Sequence, residues 1–218
     1  MRAATNKNQE AQSNSLPGSS GIYSVMEHFY TIQGEGQHQG KAAYFIRLGG
    51  CDVGCTWCDV KDSWNREGHP QLTVQELVAA VKNTPAAIAV ITGGEPTLHD
   101  LQPLTAALQK ENIATHIETS GSSPLTGSWN WICVSPKKFK APLTDLLSRA
   151  HELKIVVFNK SDFDWAEKHA GFVSNTCKLF LQPEWSRSEP MTPLIIDYIK
   201  ENPQWELSLQ IHKFVNIP

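Results

Sequence analysis

An α/β fold on a mainly parallel sheet, open or curled toward a barrel, is predicted by three features of the chain. Short apolar runs rich in β-branched and aromatic residues recur along it, amphipathic stretches lie between several of them, and polar or glycine-bearing motifs close most of the runs. Short runs bounded by turn residues are the pattern of buried strands, and helices between them are the connections that parallel strands need. With 218 residues, 40% of them hydrophobic, the chain can fill one sizeable core.

Residues 1–21 are rich in Asn, Gln, Ser and Gly, and are expected to form a flexible polar tail. They lack the apolar centre of a secretion signal, and only Arg2 and Lys7 are basic. Residues 22–218 are expected to form a single domain, since no repeat, linker or second boundary interrupts them. Strands are expected over Ala42–Leu48 and over 86–92, 114–118, 131–135, 153–158, 178–182 and 206–210. Thr73-Val-Gln-Glu76 is a capping box for a helix carrying Leu77, Val78 and Val81. Further helices are expected over 101–108, 163–169 and 193–200.

A net charge of −3 provides no electrostatic footprint for nucleic acid or an anionic membrane surface. No apolar run approaches the length of a membrane span. An odd count of five cysteines argues against a disulfide framework, and a reducing cytoplasm is the expected compartment.

Cys51, Cys55 and Cys58 fall within Gly50-Cys-Asp-Val-Gly-Cys-Thr-Trp-Cys-Asp59. Thiolates at this spacing can close on one metal centre from a single loop. A closed structural site normally takes four protein ligands, so three leave a position open for a small molecule. Zinc with a remote fourth ligand, from among the histidines or Cys133 or Cys177, stays open on spacing alone. Cys133 and Cys177 are otherwise read as structural.

The remaining polar motifs gather at the C-terminal ends of the expected strands, the edge where parallel α/β folds assemble their sites. They are Arg47, Thr92-Gly-Gly-Glu-Pro96, Glu118-Thr-Ser-Gly121, Ser135-Pro-Lys137, Gln182-Pro183, and Gln210 with His212-Lys213. Each alone is an ordinary turn. Gly93 and Gly94 let backbone approach a ligand closely, and Glu95 can accept from a ligand ammonium. Glu118 and Ser120 suit ribose hydroxyls or an amine, and Ser135 and Lys137 suit a carboxylate. Together they fit a zwitterionic nucleoside. Trp57 can pack on such a ligand or on the core. Thr31-Ile-Gln-Gly-Glu-Gly36, a hairpin turn when taken alone, is able to read a planar, amide-rich ring.

These residues resemble the radical S-adenosylmethionine enzymes, through the cysteine loop and Gly93-Gly94-Glu95-Pro96. Within them the chain is similar to the 7-carboxy-7-deazaguanine synthase family, from about residue 25 to 218. Further markers are Phe45-Ile-Arg47, Trp57-Cys-Asp59 and the ending Gln210-Ile-His-Lys213 to Asn216-Ile-Pro218. The resemblance implies a partial (reduced) β/α barrel, commonly a homodimer. It implies a 4Fe–4S cluster on Cys51, Cys55 and Cys58, with S-adenosylmethionine at the open iron and an electron donor such as flavodoxin. The resulting 5′-deoxyadenosyl radical would take hydrogen from 6-carboxy-5,6,7,8-tetrahydropterin. The ring would then contract to 7-carboxy-7-deazaguanine with loss of ammonia, a step in queuosine biosynthesis.

Carried over by position, Trp57, Cys58, Asp59, Gly94, Ser135, Pro136, Lys137, Gln182, Pro183, Glu184 and Trp185 would surround S-adenosylmethionine. Ile32, Gln33, Gly34, Arg47, Thr92 and the carboxylate of Pro218 would contact the pterin. Arg47 suits the pterin carboxylate through bidentate pairing. A tag after Pro218 is expected to weaken pterin use and leave the cluster intact. Many family members carry Thr after Cys-Asp, where its hydroxyl helps to hold Mg2+. Here Val60 stands in that place and has no oxygen for a hard cation. Two alternatives stay open: another radical S-adenosylmethionine enzyme, such as a glycyl-radical activase, or a zinc-stabilised binding module.

Overall fold

The computed structural model describes residues 16–218; most of the expected tail, residues 1–15, lies outside the described residues. Residues 16–21 form a turn joined to the domain by the Asp100 N–H, which donates to the Pro17 carbonyl at 2.7 Å.

The elements follow in the order β1 (Ile22–Ile32), β2 (Ala42–Leu48), β3 (Gln71–Thr73), α1 (Val74–Lys82), β4 (Ile88–Gly93), α2 (Gln102–Lys110), β5 (Ala114–Thr119), β6 (Trp131–Val134), α3 (Thr144–Ser148), β7 (Glu152–Val157), α4 (Ser161–Ala170), β8 (Lys178–Pro183), α5 (Ser188–Glu201), β9 (Trp205–Leu207) and α6 (Ile211–Val215). One nine-stranded sheet runs β3-β1-β2-β4-β5-β6-β7-β8-β9. From β2 to β9 the strands are parallel, while β1 is antiparallel to both β2 and β3. The edge strands β3 and β9 do not pair with each other, so this is the partial, unclosed barrel that was expected.

Strand alternation divides the sheet between core and cavity. On β4, β5, β7 and β8, Ile91, Ile117, Leu153 with Ile155, and Leu181 join the core under the helices. Their neighbours Thr92, Glu118, Lys154 and Gln182 line a cavity instead. Leu77 and Val81 of α1 and Leu104 and Leu108 of α2 are fully buried in that core. The capping box of α1 is formed: Thr73 N–H donates to Glu76 Oε2 at 2.8 Å, and Glu76 N–H donates to Thr73 Oγ1 at 3.2 Å. Thr73→Ala is expected to lower stability by about 1 kcal/mol, read as a shifted denaturant midpoint at unchanged slope. An unmoved midpoint would mean that α1 is held by packing alone.

Several elements differ from the sequence expectation. β1 and β3 were not anticipated, nor were the five-residue helices α3 and α6. The last strand is Trp205–Leu207, not 206–210, and its pairing with β8 ends at Ser208, whose N–H donates to the Leu181 carbonyl at 2.9 Å. The Ser208 hydroxyl donates to Gln182 Oε1 at 2.7 Å and accepts from Gly36 N–H at 3.0 Å. α5 starts at Ser188, ahead of Pro193, which therefore lies inside the helix. Thr192 Oγ1 donates to the Ser188 carbonyl at 2.6 Å and helps to hold the opening turn. Among the described residues no helix is long and apolar enough to cross a membrane.

Candidate active site

A cavity of about 290 Å³ opens among the C-terminal strand ends, the hairpin loop after β1 and the segment after β9. Cys51, Cys55 and Cys58 all line it, and all are free thiols. Their loop is set by backbone bonds. Gly50 N–H donates to the Ser63 carbonyl at 2.7 Å, Cys51 N–H to Trp64 at 3.1 Å, and Cys58 N–H to Cys55 at 3.1 Å. Gly50 and Gly54 have φ of 106° and 74°, the left-handed region that suits glycine, and turn the chain so that the thiols share one wall. Buried His99 donates from Nε2 to the Gly49 carbonyl at 2.9 Å and anchors the start of the loop.

Burial pushes the Cys55 thiol up to about 11 and raises Cys51 as well. A bound metal centre would supply the positive charge that favours the thiolates. Among the described residues no three His, Cys, Asp or Glu side chains are drawn up around a single-ion point. The fit to a cluster therefore rests on an all-thiol donor set, one loop, and the open cavity beside it.

The glycine pair after β4 presses against this loop. Gly94 N–H donates to the Leu48 carbonyl at 3.0 Å, and Glu95 N–H to Gly50 at 2.9 Å. Glu95 itself does not face a ligand, contrary to the sequence reading. It is 1% exposed, and its carboxylate accepts from Thr97 N–H at 3.0 Å, Thr97 Oγ1 at 2.7 Å, Thr119 Oγ1 at 2.5 Å, Ser120 N–H at 2.8 Å and Ser120 Oγ. It ties the ends of β4 and β5 together. Ser120 also lines the cavity, with its hydroxyl proton committed to Glu95.

Next along the edge, Lys137 Nζ donates to the Ser135 hydroxyl at 2.5 Å and the Ser135 carbonyl at 2.9 Å. The ammonium lies 5.8 Å from the centre of the Trp57 ring, which meets Phe139 edge-on. Burial lowers the Lys137 pKa, so an anion beside it would be welcome. Because the Ser135 oxygen accepts from Lys137, its own proton is free to donate.

At the hairpin loop, Gln33 Nε2 donates to Glu118 Oε1 at 3.3 Å, and Gly34 accepts from Ile211 N–H at 3.0 Å. Arg47 Nε donates to Glu27 Oε1 at 2.6 Å, which leaves the guanidinium's NH2 groups available to the cavity that Arg47 lines. Lys213 Nζ pairs with Asp59 at 2.6 Å and lies 5.2 Å from the Trp185 ring centre, which joins α6 to the cysteine loop.

Every residue carried over by position lines this cavity except Pro136, which is buried away from it. Val60 lines it too and offers a cation no oxygen, while the neighbouring Asp59 carboxylate is taken by Lys213. The residue missed outright is Lys154, in the wall at 3% exposure. A lone lysine inside Leu153-Lys-Ile-Val-Val-Phe158 was the available signal, since a charge in a buried strand must have partners. Phe29, Trp64 and Val156 were also missed; their types mark nothing but packing.

The radical SAM superfamily model matches residues 45–132, the stretch that holds the cysteine loop and the glycine pair. Fold, loop and match together define a radical S-adenosylmethionine protein, with a 4Fe–4S cluster and S-adenosylmethionine as its cofactors. The chain is 54% identical to a 7-carboxy-7-deazaguanine synthase of Flavobacterium psychrophilum, over 89% of this chain and 92% of the relative. With that of a Synechocystis strain it shares 47%, over 89% and 93%. The crystal structure of QueE from Escherichia coli superposes with a TM-score of 0.80 at 32% identity, covering 89% of this chain and 96% of that one. The chain belongs to the 7-carboxy-7-deazaguanine synthase family.

Proposed function

We propose that this cavity contracts 6-carboxy-5,6,7,8-tetrahydropterin to 7-carboxy-7-deazaguanine with loss of ammonia. The observation that carries the reading is the sharing of one cavity by the three cysteines, an anion corner and a hydrogen-bonding hairpin loop. Cys51, Cys55 and Cys58 would hold the cluster. Gly94, Ser135, Lys137, Gln182 and Pro183 would hold S-adenosylmethionine, with Trp57, Asp59, Glu184 and Trp185 around it. When bound, the two cofactors supply hydrogen-atom abstraction. The chain's own residues orient the pterin for it: Gln33 and Gly34 at the ring, Arg47 at the carboxylate, with Ile32, Thr92 and Pro218 completing the wall. With Val60 in the wall, a magnesium ion would rest on substrate oxygens and water rather than on a side chain at that position. A flavodoxin-like electron donor, a second copy of this chain and a cytoplasmic setting complete the reading.

The deciding experiment is anaerobic reconstitution with iron and sulfide, then incubation with reductant, S-adenosylmethionine and the tetrahydropterin, with products read by mass. Formation of 7-carboxy-7-deazaguanine is expected. Release of 5′-deoxyadenosine without it would reopen the substrate, and a colourless protein holding zinc would overturn the class. Arg47→Lys is expected to raise KM for the pterin about tenfold, since an ammonium cannot reproduce a fork of two parallel donors. Cluster content should not change. An unaltered KM would remove Arg47 from the substrate site.

A further inference from the structure

Lys154 lies in the cavity wall midway along β7, and none of the roles above accounts for it. Its Nζ donates to Glu35 Oε2 at 2.6 Å and to Glu118 Oε2 at 2.9 Å. Both carboxylates line the same cavity, and each has its second oxygen engaged. Glu35 Oε1 accepts from Gln210 Nε2 at 2.9 Å, and Glu118 Oε1 accepts from Gln33 Nε2 at 3.3 Å. One ammonium thus joins the hairpin loop, the end of β5 and the segment leading into α6.

Two carboxylates facing one buried volume repel unless a cation lies between them, and a buried ammonium is costly unless paired. Other titratable groups face this cluster from β6, β7, α6 and the loop after β6. Glu152, on the same strand, is raised by burial toward its neutral form, and burial keeps Cys133 of β6 a thiol. Lys137 beyond β6 commits its ammonium to the Ser135 hydroxyl and carbonyl, and burial shifts His212 on α6 away from its charged form. The Lys154 cluster itself holds two carboxylates against one ammonium. That surplus of acceptors suits a ligand edge made of N–H groups, and the pyrimidine part of a pterin presents such an edge, with a ring N–H and an exocyclic amine.

We propose that Lys154 is a positioning residue for the substrate: it fixes Glu35 and Glu118 as ionised acceptors aimed at the N–H edge of the pterin. This rests on the substrate reading above. Burial by itself would raise Glu35, yet the Lys154 ammonium draws it down to about 2. A carboxylate held low stays ionised throughout the neutral range. Without the ammonium, burial dominates, the carboxyl gains a proton as pH falls, and acceptors are lost on the acid side.

The test uses reconstituted holoenzyme with S-adenosylmethionine and no reductant, so that nothing turns over. The probe is 6-carboxypterin, the fluorescent oxidised form of the substrate, and its Kd is measured from about pH 5.5 to 7.5. In the wild type, Kd is expected to vary by less than about threefold across that window. Lys154→Gln is expected to bind about tenfold more weakly at neutral pH and to weaken about tenfold further toward the acid end. Lys154→Arg, which keeps the charge, is expected to retain the flat profile. His212 is common to all three proteins and does not distinguish them. A flat profile within about threefold of wild type for Lys154→Gln would overturn the proposal, and so would an acid-side loss in Lys154→Arg equal to that of Lys154→Gln. If Lys154→Gln does not fold, the double variant Glu35→Gln/Lys154→Gln removes one charge of each sign and should bind the probe about tenfold more weakly than wild type at neutral pH; binding within about threefold of wild type there is equally fatal. A wild type that neither binds 6-carboxypterin nor forms 7-carboxy-7-deazaguanine would instead sink the substrate reading itself.

Discussion

Cys55→Ala is expected to yield a folded, colourless protein that forms no 7-carboxy-7-deazaguanine above background. Cys55 is 8% exposed and lines the cavity between Cys51 and Cys58. The backbone bonds that shape the loop run from Gly50, Cys51 and Cys58 to carbonyl oxygens and need no thiol at position 55. Losing one sulfur from this partly open wall should therefore cost only about 1 kcal/mol of stability. The chemical loss is far larger, because two remaining thiolates cannot hold a cubane that three share, and no electron then reaches the cofactor. Iron and sulfide content, visible absorbance and product mass would be measured on the same sample. A variant with full iron and wild-type turnover would show that Cys55 is no cluster ligand.

The parallel half of the sheet was legible because its strands are buried on both faces. Runs such as Ile88–Gly93 and Lys178–Pro183 are short, apolar and closed by marked polar residues, which fixes both their type and their outgoing edge. β1 carries a different pattern. Ile-Tyr-Ser-Val-Met-Glu-His-Phe-Tyr-Thr-Ile mixes buried, half-exposed and exposed positions without a clean apolar run, because its role is to extend the sheet antiparallel to β2. α6 has no buried residue, with Phe214 and Val215 more than half exposed, so no amphipathic signal exists to find. Its position follows from tertiary contacts alone: Ile211 N–H to Gly34, and Lys213 to Asp59.

The site was legible in its motifs and less so in its allocation of roles. Cys51, Cys55, Cys58, Ser135, Lys137, Arg47 and Gln182 stand where strand-end logic puts them. Glu95 and Glu118 show what that logic cannot decide. Both are glutamates at adjacent strand ends, yet Glu95 is spent on Thr97, Thr119 and Ser120 while Glu118 faces the cavity. Which carboxylate serves the fold and which the ligand depends on which hydroxyls come within reach, and that is settled only once β4 and β5 are paired. Lys154 was missed for a related reason. Its partners lie 119 and 36 residues away in the chain, so nothing nearby in sequence hints that its charge is matched.

Gly94→Ala is expected to cost about a hundredfold in activity, through geometry instead of the loss of a ligand. A Cβ at this position would meet the Gly50 carbonyl oxygen, the Cys51 Cβ at 2.7 Å and the Ser63 carbonyl oxygen at 2.7 Å. Two of these are backbone and the third begins a cluster ligand, so no flexible side-chain tip is available to swing aside. Either the end of β4 retreats or the cysteine loop shifts, and overpacking of this kind costs about 1–3 kcal/mol. The fold can absorb that, since Leu48 and Ile91 remain buried in the core below. The site cannot absorb it as readily, because Gly94 N–H to Leu48 and Glu95 N–H to Gly50 set the spacing between the glycine pair and the thiols. A displacement of about 1 Å between reacting groups is enough for a hundredfold loss. Gly94→Ala should therefore keep most of its melting temperature, assemble cluster incompletely, and lose about a hundredfold or more in product formation. Cluster content and turnover both at wild-type level would mean that the loop has slack, and that Gly94 is a turn residue and not a shelf for the cofactor.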